Sequence, residues 1–450
     1  MRAAVGSAAH GKFTGNLVDV TTGMISREIF VSDEIYKREL EQVFARAWLF
    51  IGHESQIPNP GDFFSSRMGE ESVLLTRDRQ GQIHVFLNTC RHRGMKVCRY
   101  DQGNTTIFTC PYHGWGYATD GKLVGVPYFR EAYHEKLDRP KWGLVEVAQM
   151  ENYKGSIWAS WDPDAPAFSD YLGGMRVYLD LLLDSRDGRE GDAEVLGGIQ
   201  KWIVPCNWKF AAENFVGDAY HAISHRSVDT VGIAPGGKGR TDDGTTRPKR
   251  YAVSFPDLGH GTNTTIQMLE NEPYTPIYPN VSELQDYLKR EYEERQQRLG
   301  NMSRLLGSAS TIFPNTSFQP RQPRTLAVWH PHGPTKTEMW RFVFVDREAP
   351  EKLKDLVRRY HELSVGPVGM TEQDDMENWV YATSASAGTI ARRYPYNYEM
   401  GLGGGQPSDF PPGLISDVPS EKNQRGFYGR WAEFMDASGW SDLYPKRVGR

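Results

Sequence analysis

The chain has 450 residues, enough for two or three domains, and its composition is that of an ordinary globular protein. A net charge of -5, a pI near 6.2 and no basic stripe among aromatic residues argue against a nucleic-acid partner. The first residues lack the apolar core of a signal peptide, and no run reaches the length of a membrane span, so we expect a cytoplasmic protein with no membrane partner.

The first long segment of the chain is rich in short β-type pieces. They are separated by Gly, Pro, Asn and Asp between about Trp48 and Trp161. The pieces with the strongest β character are residues 72–76, 83–87, 106–109 and 156–160. This pattern predicts a small all-β domain, which we assign to residues 48–163. Residues 1–47 are assigned to an N-terminal helical part of a larger domain, into which the β domain is inserted.

The rest of the chain, residues 164–450, predicts both helices and antiparallel strands. Helical segments are predicted at residues 180–183, 208–225, 282–299 and 349–363. Strand-like alternation covers residues 325–330 and 338–345. The larger domain is therefore predicted to be α+β, with an antiparallel sheet packed by helices. The Gly-rich segments 233–249 and 401–412 are predicted to be surface loops.

Two arms of the β domain each offer one thiol and one imidazole, with seventeen residues between them. These candidate ligands are Cys90, His92, Cys110 and His113. Two thiolates and two neutral imidazoles are the ligand set of a Rieske [2Fe–2S] cluster. The alternative is a zinc-binding interaction module, but zinc sites usually group Cys with Cys and His with His.

The remaining polar features near this motif admit more than one interpretation. The first arm is basic, through Arg91, Arg93, Lys96 and Arg99. These residues form either a solvated, salt-bridged loop or a docking patch for an acidic electron donor. The two other thiols, Cys98 and Cys206, are predicted to be packing residues in a reducing compartment.

A second candidate metal site lies in the predicted helix 208–225. Its polar residues fall at steps of 4, 3 and 4, and they are Asn214, Asp218, His221 and His225. The four residues thus share one face of the helix, and two imidazoles one turn apart can meet a single metal ion. A carboxylate from elsewhere would complete a facial triad that leaves coordination positions open. The alternative is a pair of surface histidines with local hydrogen bonds.

The third ligand of such a triad is best sought in residues 366–379. There a glycine turn precedes an acidic helix start that contains Glu372, Asp374 and Asp375. Acidic residues in a first helical turn often only complement the helix dipole. The residue types alone do not choose among the three carboxylates.

Taken together, these motifs resemble the large (α) subunit of Rieske non-haem iron aromatic-ring-hydroxylating dioxygenases of the naphthalene, biphenyl and toluene type. The resemblance spans nearly the whole chain. The family's Cys-x-His-x17-Cys-x2-His motif is matched in full, and its Asp-x2-His motif followed by a second His is matched by Asp218, His221 and His225. Many members separate the two His by four or five residues, whereas this chain has three between them. The stretch 366–375 matches the family's Gly-Pro-x-Gly-x-x-Glu-x-Asp-Asp pattern, which implies that Asp375 is the iron ligand.

The resemblance also implies an assembly and a substrate site. Members form trimers of α subunits, usually capped by three small β subunits (α3β3), with α3 as the alternative. Asp218 would then link His113 of the partner subunit to the iron ligand His221. Substrate-cavity positions implied by analogy are Asn214, Phe215, Ala222, Phe313, Asn315, Val365 and Thr371.

The implied activity is cis-dihydroxylation of an aromatic hydrocarbon by dioxygen at a mononuclear Fe(II). The chain has no Gly-x-Gly-x-x-Gly fingerprint, so electrons are expected to come from a different polypeptide. The resemblance implies that this supply runs from NADH through a separate reductase and a ferredoxin. A Rieske monooxygenase or demethylase with the same metal centres is the first alternative. An electron-transfer Rieske protein without a catalytic iron is the second.

Overall fold

The computed structural model describes residues 13–184, 192–218, 220–221, 223–232, 249–266, 281–320 and 323–444. Its N-terminal part contains β1 (Val18–Asp19), β2 (Met24–Ile25) and α1 (Asp33–Glu39). The next segment contains β3 (Leu49–His53), β4 (Asp62–Met68), β5 (Glu71–Arg77), β6 (Ile83–Leu87), β7 (Gln102–Asn104), β8 (Ile107–Thr109), β9 (Gly116–Ala118), β10 (Leu123–Gly125), β11 (Gln149–Tyr153) and β12 (Ser156–Ser160).

The remaining described residues alternate between helices and strands. They form α2 (Phe168–Leu172), α3 (Arg176–Leu183), β13 (Ala193–Val195), β14 (Gln200–Val204), α4 (Trp208–Gly217), α5 (Arg226–Val231), β15 (Lys249–Phe255), β16 (His260–Ile266), α6 (Gln285–Leu299), β17 (Leu305–Ile312), β18 (Thr316–Gln319), β19 (Arg324–Pro331), β20 (Thr337–Asp346), α7 (Glu351–Ser364), α8 (Met370–Ser386), β21 (Tyr396–Asn397), β22 (Gln406–Asp409), β23 (Pro412–Asp417), α9 (Lys422–Asp436) and α10 (Trp440–Leu443).

The β-rich segment folds into small antiparallel sheets around its own core. The strand orders are β6-β5-β4-β7, β10-β9-β8 and β11-β12-β3. A separate apolar cluster includes Phe63, Phe86 and Trp115, and the two motif thiols Cys90 and Cys110 belong to it. The predicted all-β segment is thus confirmed, and strand β6 has the bounds predicted from the sequence.

The larger part of the chain is built on one antiparallel sheet of ten strands within the described residues. Its order is β13-β20-β19-β18-β17-β16-β15-β23-β22, and β14 pairs with the other half of the long strand β20. Helices α4 and α9 pack on this sheet, chiefly against β15–β18. The α+β prediction is confirmed, and the predicted charged helices correspond to α6 and α7. None of the helices in the described part of the chain combines the length and apolar character that a membrane span requires.

The N-terminal part packs with the larger domain rather than with the β domain's own core. Strand β2 pairs with β21 from the other end of the chain. On α1, Glu39 accepts hydrogen bonds from the indole nitrogens of Trp208 (3.0 Å) and Trp431 (2.8 Å). The Nζ of Lys209 lies 2.5 Å from Glu39, and both side chains are fully buried. Glu39 therefore connects α1 to α9 through Trp431 and to the start of α4 through Trp208 and Lys209.

Two predictions from the sequence were wrong. The predicted helix 208–225 is interrupted, because α4 ends at Gly217 and Asp218 takes an extended conformation with φ -79° and ψ 91°. Asn423 on α9 packs against this end of the helix, since its side-chain nitrogen donates to the Val216 carbonyl at 2.8 Å and would lie 2.5 Å from a Cβ on Gly217. The predicted loop 401–412 contains β22 and the start of β23, which join the large sheet through β15. Residues 233–248 of the other predicted loop lie outside the described residues.

Candidate metal centres

The two arms of the Cys/His motif form loops with the same backbone hydrogen bonds. In each loop the Cys N–H donates to the carbonyl five residues on, at 2.8 Å in both. Each Cys carbonyl accepts from a glycine N–H four residues on, Gly94 for Cys90 (2.9 Å) and Gly114 for Cys110 (3.0 Å). Both glycines have positive φ, +74° and +72°, which strongly favours glycine there. The sequence thus builds two matching loops that present one thiol and one imidazole each.

The donor groups of these loops face one another and suit the ligation of a cluster. The rings of His92 and His113 lie 4.6 Å apart, and the ring of Trp115 stacks on His92 at 5.0 Å. Nδ1 of His92 is buried without a hydrogen-bond partner among the described residues. Burial and the neighbouring His113 lower the pKa of His92, which keeps this imidazole neutral. A neutral imidazole nitrogen with no protein partner is a good metal ligand.

The hydroxyl of Tyr117 is a further contact to this centre that the sequence analysis missed. It lies 3.3 Å from Sγ of Cys90 and accepts a hydrogen bond from the Arg91 N–H at 3.0 Å. Burial and the contact with Cys90 raise the pKa of Tyr117, so its hydroxyl keeps a proton to share with the sulfur. Hydrogen bonds to the sulfurs tune the potential of such clusters. A lone tyrosine in a short strand gives no local signal of this contact.

The basic arm is only partly solvated. Arg93, Lys96 and Arg99 are exposed, whereas Arg91 donates to the Gly143 carbonyl at 3.2 Å and lies over the ring of Trp142. The thiols of Cys98 and Cys206 are buried and unbridged, as predicted.

The second centre is a compact triangle of three donor atoms. Nε2 of His221 and Nε2 of His225 lie 3.0 Å apart, and Oδ1 of Asp375 lies 3.2 Å from each of them. Neighbouring ligands on an octahedral ion with bonds of about 2.1 Å are about 3.0 Å apart. The triangle therefore fits one face of such an ion, the arrangement of the two-His-one-carboxylate centres that hold non-haem Fe(II). Within the described residues, His221, His225 and Asp375 form a set of three potential metal ligands whose donor atoms all lie within 4.8 Å of one another.

The break after α4 does not separate the histidines, because local contacts hold the segment that carries them. His221 lies in the turn between α4 and α5, and its carbonyl accepts the Ser224 N–H at 2.9 Å. The hydroxyl of Ser224 accepts from the Asn378 side chain on α8 at 3.0 Å. His225 directly precedes α5. The segment is thus tied to α8, the helix that supplies Asp375.

The structure separates the three acidic residues that the sequence left open. Asp375 completes the triangle, while Asp374 lies behind it, with Oδ2 3.3 Å from Nδ1 of His225. Glu372 instead pairs with the guanidinium of Arg341 at 2.6 Å, both side chains being buried. The geometry thus favours Asp375, the residue that the resemblance implied.

The outer nitrogens of both histidines face carboxylates. Oδ1 of Asp218 lies 2.9 Å from Nδ1 of His221, in the same way as Asp374 faces His225. Burial alone would lower the pKa of His221, but Asp218 and Asp375 outweigh it and raise the pKa to about 10. Burial would raise the pKa of Asp375, yet its two histidine neighbours hold it below its usual range. The site thus favours a positive charge between its three donors.

The positions that the resemblance assigned to the substrate cavity fall into two groups, one near α4 and α8 and one near α9. Ala222, a further assigned position, lies outside the described residues. Phe215 on α4 lies 5.2 Å from the ring of Trp329, whose carbonyl accepts from the Asn315 side chain at 3.1 Å. Asn214 precedes Phe215, Val365 follows α7, and Thr371 lies in the first turn of α8. Phe313 instead packs against aromatic rings of α9, at 5.4 Å and 5.2 Å. The structure therefore gathers several of these positions near α4 and α8 but directs Phe313 towards α9.

Two family models match the chain. Residues 47–148 match the Rieske [2Fe-2S] domain, and residues 168–437 match the ring hydroxylating alpha subunit catalytic domain. The chain is 42% identical to the biphenyl 2,3-dioxygenase subunit alpha of Rhodococcus jostii strain RHA1, over 96% of this chain and 93% of that protein. It is 39% identical to a benzene 1,2-dioxygenase subunit alpha of Pseudomonas putida, over 96% and 95%. A solved structure of naphthalene 1,2-dioxygenase with indole in the active site superimposes with a TM-score of 0.85, at 30% identity and 95% coverage of both chains.

Proposed function

The chain belongs to the family of ring-hydroxylating dioxygenase α subunits, and from this we propose that it adds both atoms of dioxygen to one face of an aromatic ring, giving a cis-dihydrodiol. The observation that carries this proposal is the triangle of His221, His225 and Asp375, in a chain that also contains a Rieske domain. Two histidines and a carboxylate of this kind would hold a ferrous ion, which would supply the chemistry with dioxygen. Names of relatives also favour this chemistry, since they are biphenyl and benzene dioxygenase subunits.

The residues present fit both metal groups. Cys90, His92, Cys110 and His113 would hold the [2Fe–2S] cluster, and the triangle would hold Fe(II). When bound, the cluster relays single electrons, and the mononuclear iron supplies the site at which dioxygen and electrons meet beside the substrate.

The protein's own groups position and shield these reactants. Asp218 and Asp374 each face the outer nitrogen of one ligand histidine, which fixes the ring so that Nε2 points inwards. Phe215 and Trp329 present aromatic faces, which suit an aromatic substrate and exclude water from its surroundings. The side chain of Asp218 is 25% exposed, so part of it is accessible at the surface of this chain. We assign it the link between His221 and His113 of the partner subunit.

The oxygenase is proposed to work within an assembly and an electron-supply chain. The relatives named as alpha subunits imply further subunits, and we propose an α3β3 assembly, with α3 as the alternative. NADH would supply electrons through a reductase and a ferredoxin. The described cysteines are all unbridged, which supports a reducing, cytoplasmic location.

Labelled dioxygen tests the proposal. The purified oxygenase, supplied with reductase and ferredoxin, is given a set of arenes under ¹⁸O₂. A cis-diol that carries two labelled oxygens from one dioxygen supports the proposal. A product with one labelled oxygen would identify a monooxygenase, and reduction of the cluster without any oxygenated product would identify an electron-transfer protein.

A further inference from the structure

A fully buried arginine lies beside the proposed substrate site. Arg341 on β20 is 1% exposed, and its guanidinium carbon lies 5.2 Å from the ring of Phe215 and 5.5 Å from that of Trp329. Its Nη2 pairs with Glu372, which lies one helical turn before Asp375 on α8. The guanidinium thus lies between α4 and α8, the two helices that flank the metal triangle.

This arginine has more donors than its surroundings use. Nε and Nη1 of Arg341 are buried without a hydrogen-bond partner among the described residues. Leaving buried N–H groups unpaired is costly, and a buried ion pair can often be replaced by apolar residues without loss of stability. The pair with Glu372 therefore does not explain why an arginine is buried at this position. A ligand that accepts hydrogen bonds from its free nitrogens would explain it.

A second buried polar group, His361, is close enough to Arg341 to be affected by its charge. His361 on α7 is 2% exposed, and both of its ring nitrogens lack a partner in the described part of the chain. Burial and the charge of Arg341 lower the pKa of His361 to about 4, so the ring is neutral and keeps one N–H to donate. The carbonyl of His361 accepts the N–H groups of Val365 and Gly366, which ties it to a predicted cavity position.

We infer that the aromatic substrate carries a carboxylate, which binds Arg341 through its free guanidinium nitrogens, with His361 as a second donor. The inference rests on the proposed function and narrows it from an arene to an aromatic acid. A carboxylate is the acceptor that matches a guanidinium best in charge and geometry. A charge-assisted hydrogen bond in a buried site changes binding by about 10- to 100-fold.

The first test compares matched pairs of substrates in the wild-type holoenzyme. The pairs are benzene with benzoate, naphthalene with 2-naphthoate and phenanthrene with a phenanthrene carboxylate. In at least one pair we expect kcat/KM for cis-diol formation to be about tenfold or more higher for the acid. If the hydrocarbon is preferred in every pair, the inference is overturned while the proposed function stands. If no arene of either kind is oxygenated, the proposed function fails as well.

The second test uses binding as well as turnover. For the preferred acid, Arg341→Met should lower the acid-to-hydrocarbon ratio of kcat/KM about tenfold or more and raise the Kd of the acid by calorimetry. Arg341→Lys, which keeps the charge, should restore part of both. Arg324→Met is the matched control, since Arg324 is a buried arginine on the neighbouring strand β19 that pairs with Asp346 at 2.6 Å. A folded Arg341→Met protein with unchanged ratio and Kd overturns the inference, and if that variant does not fold, the Lys variant and the substrate pairs decide.

Discussion

Replacing the acidic residues of α8 one at a time should separate a metal ligand from its supports. Asp375→Asn removes the only carboxylate of the described triangle, whose oxygen lies 3.2 Å from both histidine nitrogens. We expect this variant to lose its mononuclear iron while the cluster stays. Asp374→Asn removes only the carboxylate 3.3 Å behind His225, so iron affinity should fall about 10- to 100-fold, or by about 1.4–2.8 kcal/mol.

Glu372→Gln is the third member of this series. Glu372 contacts Arg341 rather than the histidines, so iron should remain bound and the cost should appear in stability, at about 3–5 kcal/mol. The assay is iron per chain during titration with a chelator, with the visible absorbance of the cluster as an internal standard. A result in which Asp374→Asn or Glu372→Gln loses the iron and Asp375→Asn retains it would refute the assignment.

Three other predictions follow from particular contacts. Asp218→Asn should leave both metals bound but slow reoxidation of the reduced cluster in a single turnover, and an unchanged rate would contradict the linking role of Asp218. Lys209→Met leaves Glu39 buried without its cation, so chemical denaturation should show a free energy of unfolding lower by about 3–5 kcal/mol. Adding Glu39→Gln to the same protein should restore part of this loss, and additive losses in the double variant would argue against coupling of the two side chains. Burial raises the pKa of Glu213 to about 8, so this carboxyl holds its proton more tightly in the folded state. The protonated Glu213 therefore contributes to stability at pH values below its pKa in the unfolded chain, and this contribution is lost as the pH rises to about 8. Glu213→Gln should make the free energy of unfolding less dependent on pH across that window.

The parts of the account that the sequence could predict depend on contacts close in the chain. The Cys/His loops are fixed by turns of a few residues and by glycines with positive φ, so their spacing alone indicated the ligand set. Strand β6 was predicted from local β propensity with its correct bounds. The acidic helix start at α8 likewise followed from a glycine turn and helical composition.

The parts that the sequence could not predict depend on distant packing. The end of α4 lies against Asn423, about 200 residues further along the chain, whose side chain donates to the Val216 carbonyl and leaves no room for a Cβ on Gly217. Residues 401–412 are rich in Gly and Pro, so local composition indicated a loop, whereas β22 within them forms by pairing with β23, which in turn pairs with β15. The residue types alone could not distinguish Asp375 from its acidic neighbours, because the choice depends on which side of α8 faces the histidines. The burial of Arg341 was equally hidden, because an arginine in an alternating strand would normally face solvent.

The count and kind of iron in freshly prepared, fully loaded protein tests the central claim most directly. Mössbauer spectroscopy combined with metal analysis distinguishes iron in a sulfur-bridged pair with mixed Cys and His ligands from a single high-spin ferrous ion with open positions. The account predicts both, with two cluster irons for each mononuclear iron. Finding one kind of iron alone would contradict the proposal that this chain combines an electron relay with an oxygen-binding centre.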